Sequence, residues 1–261
     1  MKLPQLRIGN LRPKYPIVQG GMAVRISTAP LAAAVAEVGG VGTIAGTGMT
    51  EEELRQEIRE ARRLTGGIIG VNVLFAVKNF ARLVKASMQE GIDFIVTGAG
   101  FSRDMFSWGR ETGVSIIPIV SSARLAKLAE RLGAAALVVE GVEAGGHLGT
   151  DRPLGEILPE VREAVDLPLI AAGGIADGRD AAEMFASGAA GVQMGTRFIA
   201  SEECTAPQAF KEMCVNTKPE DIILIDSPVG MPGRAVRNEL TEALQAQNPP
   251  PIQACDDCLK R

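Results

Sequence analysis

The chain has 261 residues and a mass of 27.4 kDa, which is too large for a small disulfide-stapled domain and close to the roughly 250 residues of one α/β barrel. Apolar residues make up 46% and charged residues 22% of the chain, a composition that excludes intrinsic disorder. The net charge is −4 and the lysines and arginines are scattered, which excludes the basic footprint of a surface for nucleic acid or anionic membranes.

The sequence indicates a protein of the cytoplasm without a membrane partner. Residues 1–4 contain no apolar core of a signal peptide. The longest uncharged run, residues 64–77, is shorter than the roughly 20 residues that cross a bilayer. Four cysteines in a chain of this length do not form a secreted disulfide framework, which fits a reducing compartment.

Short apolar runs rich in valine and isoleucine alternate with longer segments of helical period, a pattern typical of repeated βα units. Strands are predicted over residues 17–19, 41–45, 68–74, 94–97, 115–120, 136–140, 167–172 and 191–198. Helices are predicted over residues 29–38, 51–64, 80–89, 103–111, 123–132, 156–165 and 181–187. Because the strands are apolar throughout, we expect them to be buried on both faces, as in parallel sheets covered by helices.

Capping residues support several of these helices. Thr50 precedes three glutamates, which places acids in a first helical turn, and Asp177 precedes the last of the predicted helices. Four glycines follow helices and are expected as C-caps: Gly66, Gly91, Gly113 and Gly133.

Eight βα units fit a closed (β/α)8 TIM barrel or an open doubly wound sheet, and closure is favoured because it leaves no sheet edge. Residues 20–25 after the first strand do not match the G-x-G-x-x-G fingerprint of a dinucleotide-binding sheet. We therefore predict an α/β fold, with a barrel over residues 1–200 and an appended helical and loop segment over residues 201–261. Two small domains are the alternative. In the appended segment, helices are expected over 205–217 and 235–245, with a turn-rich loop over 226–233 between them.

One histidine, His147, occurs in the chain, which excludes every multi-histidine metal site, and no metal is expected. It ends the segment EGVEAGGH at 140–147, after the sixth strand, where the active site of a barrel lies. An imidazole can serve there as acid, base or neutral donor to an oxyanion. His147 and Glu143 can equally be solvated loop side chains, whereas Glu140 ends a buried strand.

Glycines follow the seventh and eighth strands, at Gly173-Gly174 and at Gly195. Open main-chain N–H groups there, together with the N-terminus of a following helix, would bind a phosphate monoester. The alternative is that the glycines only allow tight turns. After the first and third strands, residues 20–23 and Asn72 would present main-chain and amide groups to a heteroaromatic ring, although Asn72 could instead cap its own turn. A phosphate site beside such a pocket suggests FMN.

Six segments in matching order resemble the FMN-dependent superfamily of nitronate monooxygenases and type II enoyl-acyl-carrier-protein reductases. They are YPIVQGGMA at 15–23, GVNV at 70–73, TGAG at 97–100, EGVEAGGH at 140–147, IAAGGIADG at 170–178 and VQMGTRF at 192–198. The resemblance covers nearly the whole chain. It implies a (β/α)8 barrel with a smaller appended domain and a bound FMN.

The resemblance also implies site residues. The flavin ring would lie against Gly21, Met22 and Ala23, with Asn72 bonded to its edge, and the cofactor would be lined by Glu140, Ala144 and Gly145. Its phosphate end would be bound by Gly173, Gly174, Gln193, Gly195 and Thr196. His147 matches the catalytic histidine of the superfamily.

QGGM, TGAG and GTRF resemble the reductase branch, which implies an enoyl thioester substrate and NADH or NADPH as the electron donor. An acyl carrier protein is a candidate partner, and the sequence leaves a homodimer open. The alternatives are a nitronate monooxygenase and, more distantly, a non-redox barrel that binds a phosphate ligand.

Two features depart from the resemblance. Cys255 and Cys258 form a CxxC that could be half a zinc or iron–sulfur site or a redox pair, but inert thiols in a tail are favoured because the ligand set is incomplete. Members of the superfamily generally continue beyond the position of Arg261, which leaves open a truncation of the appended segment.

Overall fold

A computed structural model describes residues 3–227, 230–248 and 250–251. The first nine strands are β1 (Ile17–Gln19), β2 (Gly42–Ala45), β3 (Ile69–Leu74), β4 (Phe94–Gly98), β5 (Ser115–Val120), β6 (Leu137–Glu140), β7 (Gly146–His147), β8 (Leu169–Ala172) and β9 (Gly191–Met194). All of them except β7 form one parallel sheet in the order β1-β9-β8-β6-β5-β4-β3-β2.

The sheet closes on itself between β1 and β2. Val18 and Val41 form a parallel bridge, and the N–H of Gln19 donates to the Val41 carbonyl at 2.9 Å while the N–H of Val41 donates to the Ile17 carbonyl at 3.0 Å. Closure removes both edges of the sheet. The predicted TIM barrel is confirmed, and the open doubly wound alternative is wrong.

Eight helices accompany the barrel strands: α1 (Ala29–Glu37), α2 (Glu51–Leu64), α3 (Phe80–Gln89), α4 (Arg103–Thr112), α5 (Ala123–Leu132), α6 (Leu154–Ala164), α7 (Gly178–Ala186) and α8 (Thr196–Ile199). In α2, Leu54, Ile58 and Ala61 are buried at a spacing of three or four residues, as an amphipathic helix requires. Its predicted start is confirmed, because Thr50 and Glu53 form a capping box.

The predicted C-caps are confirmed at two of the four glycines. Gly113 and Gly133 adopt left-handed conformations with φ of 76° and 96° and end α4 and α5. Gly91 also has a positive φ but follows the C-cap residue Glu90. The prediction for Gly66 is wrong, because Thr65 ends α2 in an extended conformation.

The core has two layers. One apolar cluster lies inside the barrel and includes Val18, Phe94, Val138 and Ile170. A larger cluster lies between the sheet and the surrounding helices. Alternate residues of each strand therefore face the barrel interior, which decides which side chains reach the open end of the barrel.

The last barrel strand is shorter than the predicted 191–198. It ends at Met194, the register partner of Gln19, and β1 also ends there. With no further strand to pair with, the chain turns at Gly195 and enters α8.

The appended segment contains α9 (Gln208–Asn216), a 3-10 helix (Pro219–Asp221), β10 (Ile222–Asp226), β11 (Pro232–Val236) and α10 (Glu239–Gln245). Neither β10 nor β11 is predicted by the sequence pattern. The helix predicted from residue 235 begins later because Ala235 and Val236 pair with Ile223 and Ile222 in the β10–β11 hairpin. The same hairpin pairs with β7, so the barrel loop after β6 and the appended segment share a three-stranded sheet.

Cys204 and Ala206 pack against Leu31 and Val35 of α1 and join the appended segment to the barrel. The boundary at residue 200 stays a prediction. Cys255 and Cys258 lie outside the described residues. Within the described part of the chain, every helix is too short or too polar to cross a membrane.

Candidate cofactor and active site

Three polar side chains face the barrel interior at the carboxyl ends of their strands. They are Asn72 of β3, Glu140 of β6 and Gln193 of β9. Each lies two residues after a position that faces the interior, namely Gly70, Val138 and Gly191. Gly191 faces inwards, since a Cβ atom there would lie 3.0 Å from the interior side chain of Leu6. Because strand side chains alternate, all three side chains point into the open end.

Glu140 is the only one of the three with a charge. Glu140 is in register with Ala172 of β8, and Ala172 is in register with Gln193 of β9. The strands of Glu140 and Gln193 are therefore about 10 Å apart, and only the methyl group of Ala172 lies between the two side chains. The Glu140 carboxyl group has no hydrogen bond or ion pair with any of the described residues. Burial raises the pKa of Glu140 to about 7, so its proton is exchangeable near neutrality.

The loop after β1 is fixed by two buried polar residues that sequence analysis missed. The Gln19 amide accepts from the Thr43 N–H at 3.0 Å and donates to the Ser27 hydroxyl at 2.9 Å and to the Gly20 carbonyl. The Ser27 hydroxyl accepts from the Met22 N–H at 2.9 Å. Gln19 and Ser27 stand out in the sequence as polar residues in segments that are otherwise apolar or small. Their hydrogen bond was not predictable, because the sequence does not define the path of the loop between them.

The fixed loop brings three of the predicted ring contacts to the interior. The Asn72 amide donates to the Gly21 carbonyl at 3.3 Å. A Cβ atom on Gly195 would lie 3.4 Å from the Met22 sulfur, so the ends of β1 and β9 are neighbours. Ala23 is exposed, further out along the loop.

The glycines after β8 and β9 leave main-chain donors open. The N–H groups of four residues find no acceptor within the described part of the chain: Gly173, Gly174, Gly195 and Thr196. Gly173 and Gly174 have φ of 110° and 69°, conformations that glycine adopts without strain. Adjacent strands thus present four donors, as a phosphate group requires.

The expectation that a helix N-terminus assists these donors is wrong for α7. The carboxylate of Asp177 accepts from the N–H groups of Arg179 and Asp180, and that of Asp180 accepts from those of Ala176 and Asp177. The first turn of α7 is therefore neutralised by its own acids. A phosphate at this position would depend on the loop donors alone.

The same glycines pack against the loop that leads to His147. A Cβ atom on Gly173 would lie 3.0 Å from the Ala144 nitrogen, and one on Gly174 would lie 3.0 Å from the Glu143 Cβ. Glu143 is not a free loop acid, because its carboxylate accepts from the Leu154 N–H at the start of α6 at 3.0 Å. Ala144 is buried by this packing, whereas Gly145 is exposed, and a Cβ atom there would have no neighbour within 4 Å.

His147 lies in strand β7 rather than in an irregular loop. It is in register with Gly233 of β11, and its Nε2 forms a 3.0 Å hydrogen bond with the Ser227 hydroxyl. The imidazole is exposed at the open end of the barrel, on the side formed by the appended segment. Ser227 is a functional candidate that sequence analysis missed, because it is 80 residues away.

The structure places most of the predicted residues in two clusters around the barrel mouth. In the first cluster, Gly21 contacts Asn72, Met22 lies beside Gly195, and Gln193 lies against Gly20. In the second, Gly173 packs against Ala144 and Gly174 against Glu143. Glu140 lies between β5 and β8 on the interior side, and His147 stands apart on β7. A polar ring edge and a phosphate end fit this arrangement, since the Gln193 amide, the Glu140 carboxyl group and the main-chain N–H groups after β8 and β9 have no partner among the described residues. The Asn72 amide already donates to the Gly21 carbonyl. The assigned roles of these residues stay predictions.

A family model described as nitronate monooxygenase matches residues 6–82 and 74–259 of the chain. Among solved structures, FabK from Thermotoga maritima is 39% identical with a TM-score of 0.86, over 90% of this chain and 75% of that one. A nitroalkane oxidase from Streptomyces ansochromogenes is 30% identical with a TM-score of 0.82, over 89% of this chain and 80% of that one.

Curated relatives in Rhodococcus jostii and Mycobacterium tuberculosis share one name, (3aS,4S,5R,7aS)-5-hydroxy-7a-methyl-1-oxo-octahydro-1H-indene-4-carboxyl-CoA dehydrogenase. They are 33% and 34% identical to this chain and match 89% of it. The chain spans 65% and 66% of their lengths, slightly less than two thirds.

Proposed function

Because this chain belongs to the nitronate monooxygenase family, whose members include flavin-dependent oxidoreductases, we propose that it is an FMN-dependent enzyme that reduces an enoyl thioester with NADH or NADPH. The non-redox phosphate barrel loses its support with this membership. The proposal rests on one observation above all. Main-chain N–H groups at the ends of β8 and β9, which find no acceptor among the described residues, lie beside an interior lined by Asn72, Glu140 and Gln193.

The relatives favour a thioester. FabK, a type II enoyl-acyl-carrier-protein reductase, has the higher identity of the two solved structures described above. The names of the relatives from Rhodococcus jostii and Mycobacterium tuberculosis contain a carboxyl-CoA group, which is also a thioester. Both therefore support an acyl thioester as the substrate class, with an acyl carrier protein or coenzyme A as the carrier.

The residues of this chain would divide the cofactor between them. Gly173, Gly174, Gly195 and Thr196 would donate main-chain N–H groups to the phosphate. Asn72, Gln193 and the Gly21-Met22 main chain would hold the ring, with Glu140 below it. Bound FMN would supply hydride transfer, from the nicotinamide to the β-carbon of the enoyl thioester.

His147 would supply the proton. When a hydride reaches the β-carbon, negative charge develops on the α-carbon and the thioester oxygen, and an imidazolium at the barrel mouth can donate a proton to the α-carbon. The β7–β11 pairing holds this side chain in place. The exposed position of His147 also lets it recover a proton from solvent after each turnover.

Oxidation of alkyl nitronates with O2 is the second candidate function. It is supported by the description of the matching family model and by the similarity to a nitroalkane oxidase. The same site would bind the nitronate, with His147 acting as a base or as the partner of the anionic nitronate group.

Two spectroscopic assays separate the two functions. In the first, the purified protein is reduced anaerobically with NADH and, separately, with NADPH, and is then mixed with crotonyl thioester or a quinone as the electron acceptor. In the second, the oxidised protein is mixed anaerobically with an alkyl nitronate as the electron donor, and O2 is then admitted. We expect crotonyl thioester to restore the oxidised flavin spectrum fastest, and the His147→Ala variant to bind FMN but lose this step. Reduction of the flavin by the nitronate with nitronate-dependent consumption of O2, and no re-oxidation by crotonyl thioester, would establish the second function, and a protein without releasable FMN would refute both.

A further inference from the structure

The hydrogen bond between His147 and Ser227 joins two distant parts of the chain. His147 lies on β7 in the barrel loop, and Ser227 follows the last residue of β10 in the appended segment. The Nε2–Oγ distance is 3.0 Å, which is an ordinary hydrogen bond. Since 80 residues separate the two, the contact depends on tertiary structure.

Both partners are held by their main chains. His147 is in register with Gly233 of β11, and the N–H of Leu148 donates to the Pro232 carbonyl at 2.9 Å. The N–H of Ser227 donates to the Met231 carbonyl at 3.1 Å, which fixes the start of the β10–β11 turn. These main-chain contacts fix the distance between the two residues, so that their side chains are held within hydrogen-bonding reach of each other.

The pleat of the shared sheet directs both side chains to one face. Residues opposite each other in antiparallel strands point to the same side, so His147, Gly233 and Ile225 share a face. Ser227 comes two residues after Ile225 and extends the same alternation. Gly233 has no side chain, and the Ile225 side chain lies over it, 3.4 Å from the position of a Cβ atom there.

We propose that Ser227 is a positioning residue that holds the Nε2–H of His147, so that Nδ1 is the ring nitrogen that exchanges a proton with the substrate. This inference rests on the proposed function. A histidine that gives away a proton must first be an imidazolium, with N–H groups on both nitrogens. A hydroxyl oxygen accepts from Nε2–H before and after the transfer, so the hydrogen bond persists while Nδ1 loses its proton.

Nδ1 is the nitrogen that is free to react. It has no hydrogen-bond partner among the described residues, and the ring is exposed at the barrel mouth. The appended segment would thus determine which nitrogen does the chemistry, although the histidine itself belongs to the barrel.

The chain offers an unusually direct test because it has one histidine. Protein labelled with 15N-histidine gives one pair of imidazole nitrogen signals, whose shifts report the tautomer of the neutral ring. We expect the Nε2–H form in the wild-type holoenzyme at a pH above the imidazole titration. We expect Ser227→Ala to give a mixture of tautomers, Ser227→Thr to restore the wild-type signals, and Asp226→Asn, on the opposite face of the same hairpin, to leave them unchanged.

Kinetics provide the second readout. Ser227→Ala should lower kcat about tenfold with KM within about twofold, because the hydrogen bond orients a reacting group without binding substrate. Ser227→Thr should recover most of kcat, and Asp226→Asn should retain it.

A neutral Nδ1–H tautomer in the wild-type holoenzyme would overturn the proposal, and this measurement needs no variant to fold. Unchanged tautomer and kcat in Ser227→Ala would also overturn it. The NMR result stands apart from the proposed function, because it requires no turnover. If thioester reduction fails but the wild-type ring is the Nε2–H tautomer and becomes mixed in Ser227→Ala, only the substrate assignment is wrong.

Discussion

Gly21 and Asn72 are in such close contact that neither position can change independently. The Asn72 amide donates to the Gly21 carbonyl at 3.3 Å, and a Cβ atom on Gly21 would lie 2.5 Å from the Cβ of Asn72. Side chains do not approach each other that closely, so the contact exists only because residue 21 is glycine. It joins the ends of β1 and β3 across the barrel mouth.

Gly21→Ala should therefore weaken FMN binding. The new methyl group must displace Asn72 or the loop, at a cost of about 1 to 3 kcal/mol, which corresponds to a rise of roughly 5- to 150-fold in the FMN dissociation constant. The dissociation constant is measured by titration with FMN, followed by flavin fluorescence. Gly66→Ala is the matched control, because its Cβ atom would have no neighbour within 4 Å. Equal affinities of the two variants would show that the contact does not shape the ring site.

Gly173→Ala should reduce phosphate binding more than Gly195→Ala does. Gly173 has a φ of 110°, and its Cβ atom would lie 3.0 Å from the Ala144 nitrogen. The strain of a left-handed alanine is about 1 to 2 kcal/mol, before any cost of displacing the loop. A Cβ atom on Gly195 would lie 3.4 Å from the Met22 sulfur, which is an ordinary contact distance, and an alanine there keeps the main-chain N–H donor. Dissociation constants of FMN and of riboflavin, which lacks the phosphate, separate the effects; an equal loss for both ligands would contradict the phosphate role.

Glu140 should make the folded state less stable as pH rises through the weakly acidic range. Its pKa is about 7 in the folded protein and 4.5 in its ordinary state, so between these values the folded protein binds more protons than the unfolded chain. The free energy of unfolding therefore falls from pH 4.5 to pH 7, by roughly 3 kcal/mol from this group, and has no further slope from it above pH 7.

Glu140→Gln removes that proton and keeps the shape of the side chain. Urea unfolding of both proteins from pH 5 to pH 8 should show the variant gaining relative stability as pH rises. Parallel pH profiles for the two proteins would mean that Glu140 is better solvated than its burial indicates.

Thr205→Val should loosen the loop that carries Gly21 and Met22. The Thr205 hydroxyl donates to the Arg25 carbonyl at 3.1 Å and is 2.9 Å from the Thr28 hydroxyl. Loss of these bonds costs about 1 kcal/mol and frees one side of the loop. Limited proteolysis should then cut faster near the exposed Val24, and added FMN should slow the cut.

Thr217→Val is the control for that experiment, because among the described residues its hydroxyl bonds only to the Met213 carbonyl of α9, at 2.6 Å. Matching cleavage rates in the two valine variants would indicate that the appended segment does not hold the loop.

Local pattern was sufficient for most of the barrel. The helices α2, α3 and α5 begin and end where apolar spacing and capping residues place them, and β5 has its predicted bounds. Such elements depend on neighbours within a few residues or on burial of a continuous apolar run, both of which are visible in the sequence. The glycine pairs likewise indicated the mouth of the barrel.

Elements that depend on distant partners were not predictable in this way. Residues 235 and 236 have a helical neighbourhood but are extended because Ile222 and Ile223 pair with them. Asp177 is visible in the sequence as a start signal for α7, but only the structure shows that its carboxylate and that of Asp180 occupy the N–H groups that a phosphate would use. Ser27 and Ser227 gained roles only through contacts across loops.

The sharing of β7 between barrel and hairpin has an evolutionary consequence. Recombination between relatives near residue 200 would inherit the imidazole from one parent and its hydroxyl neighbour from the other. Such chimeras should be screened by their rate of proton transfer as well as by their folding, because a well-folded hybrid can still lack the hydrogen bond between residues 147 and 227.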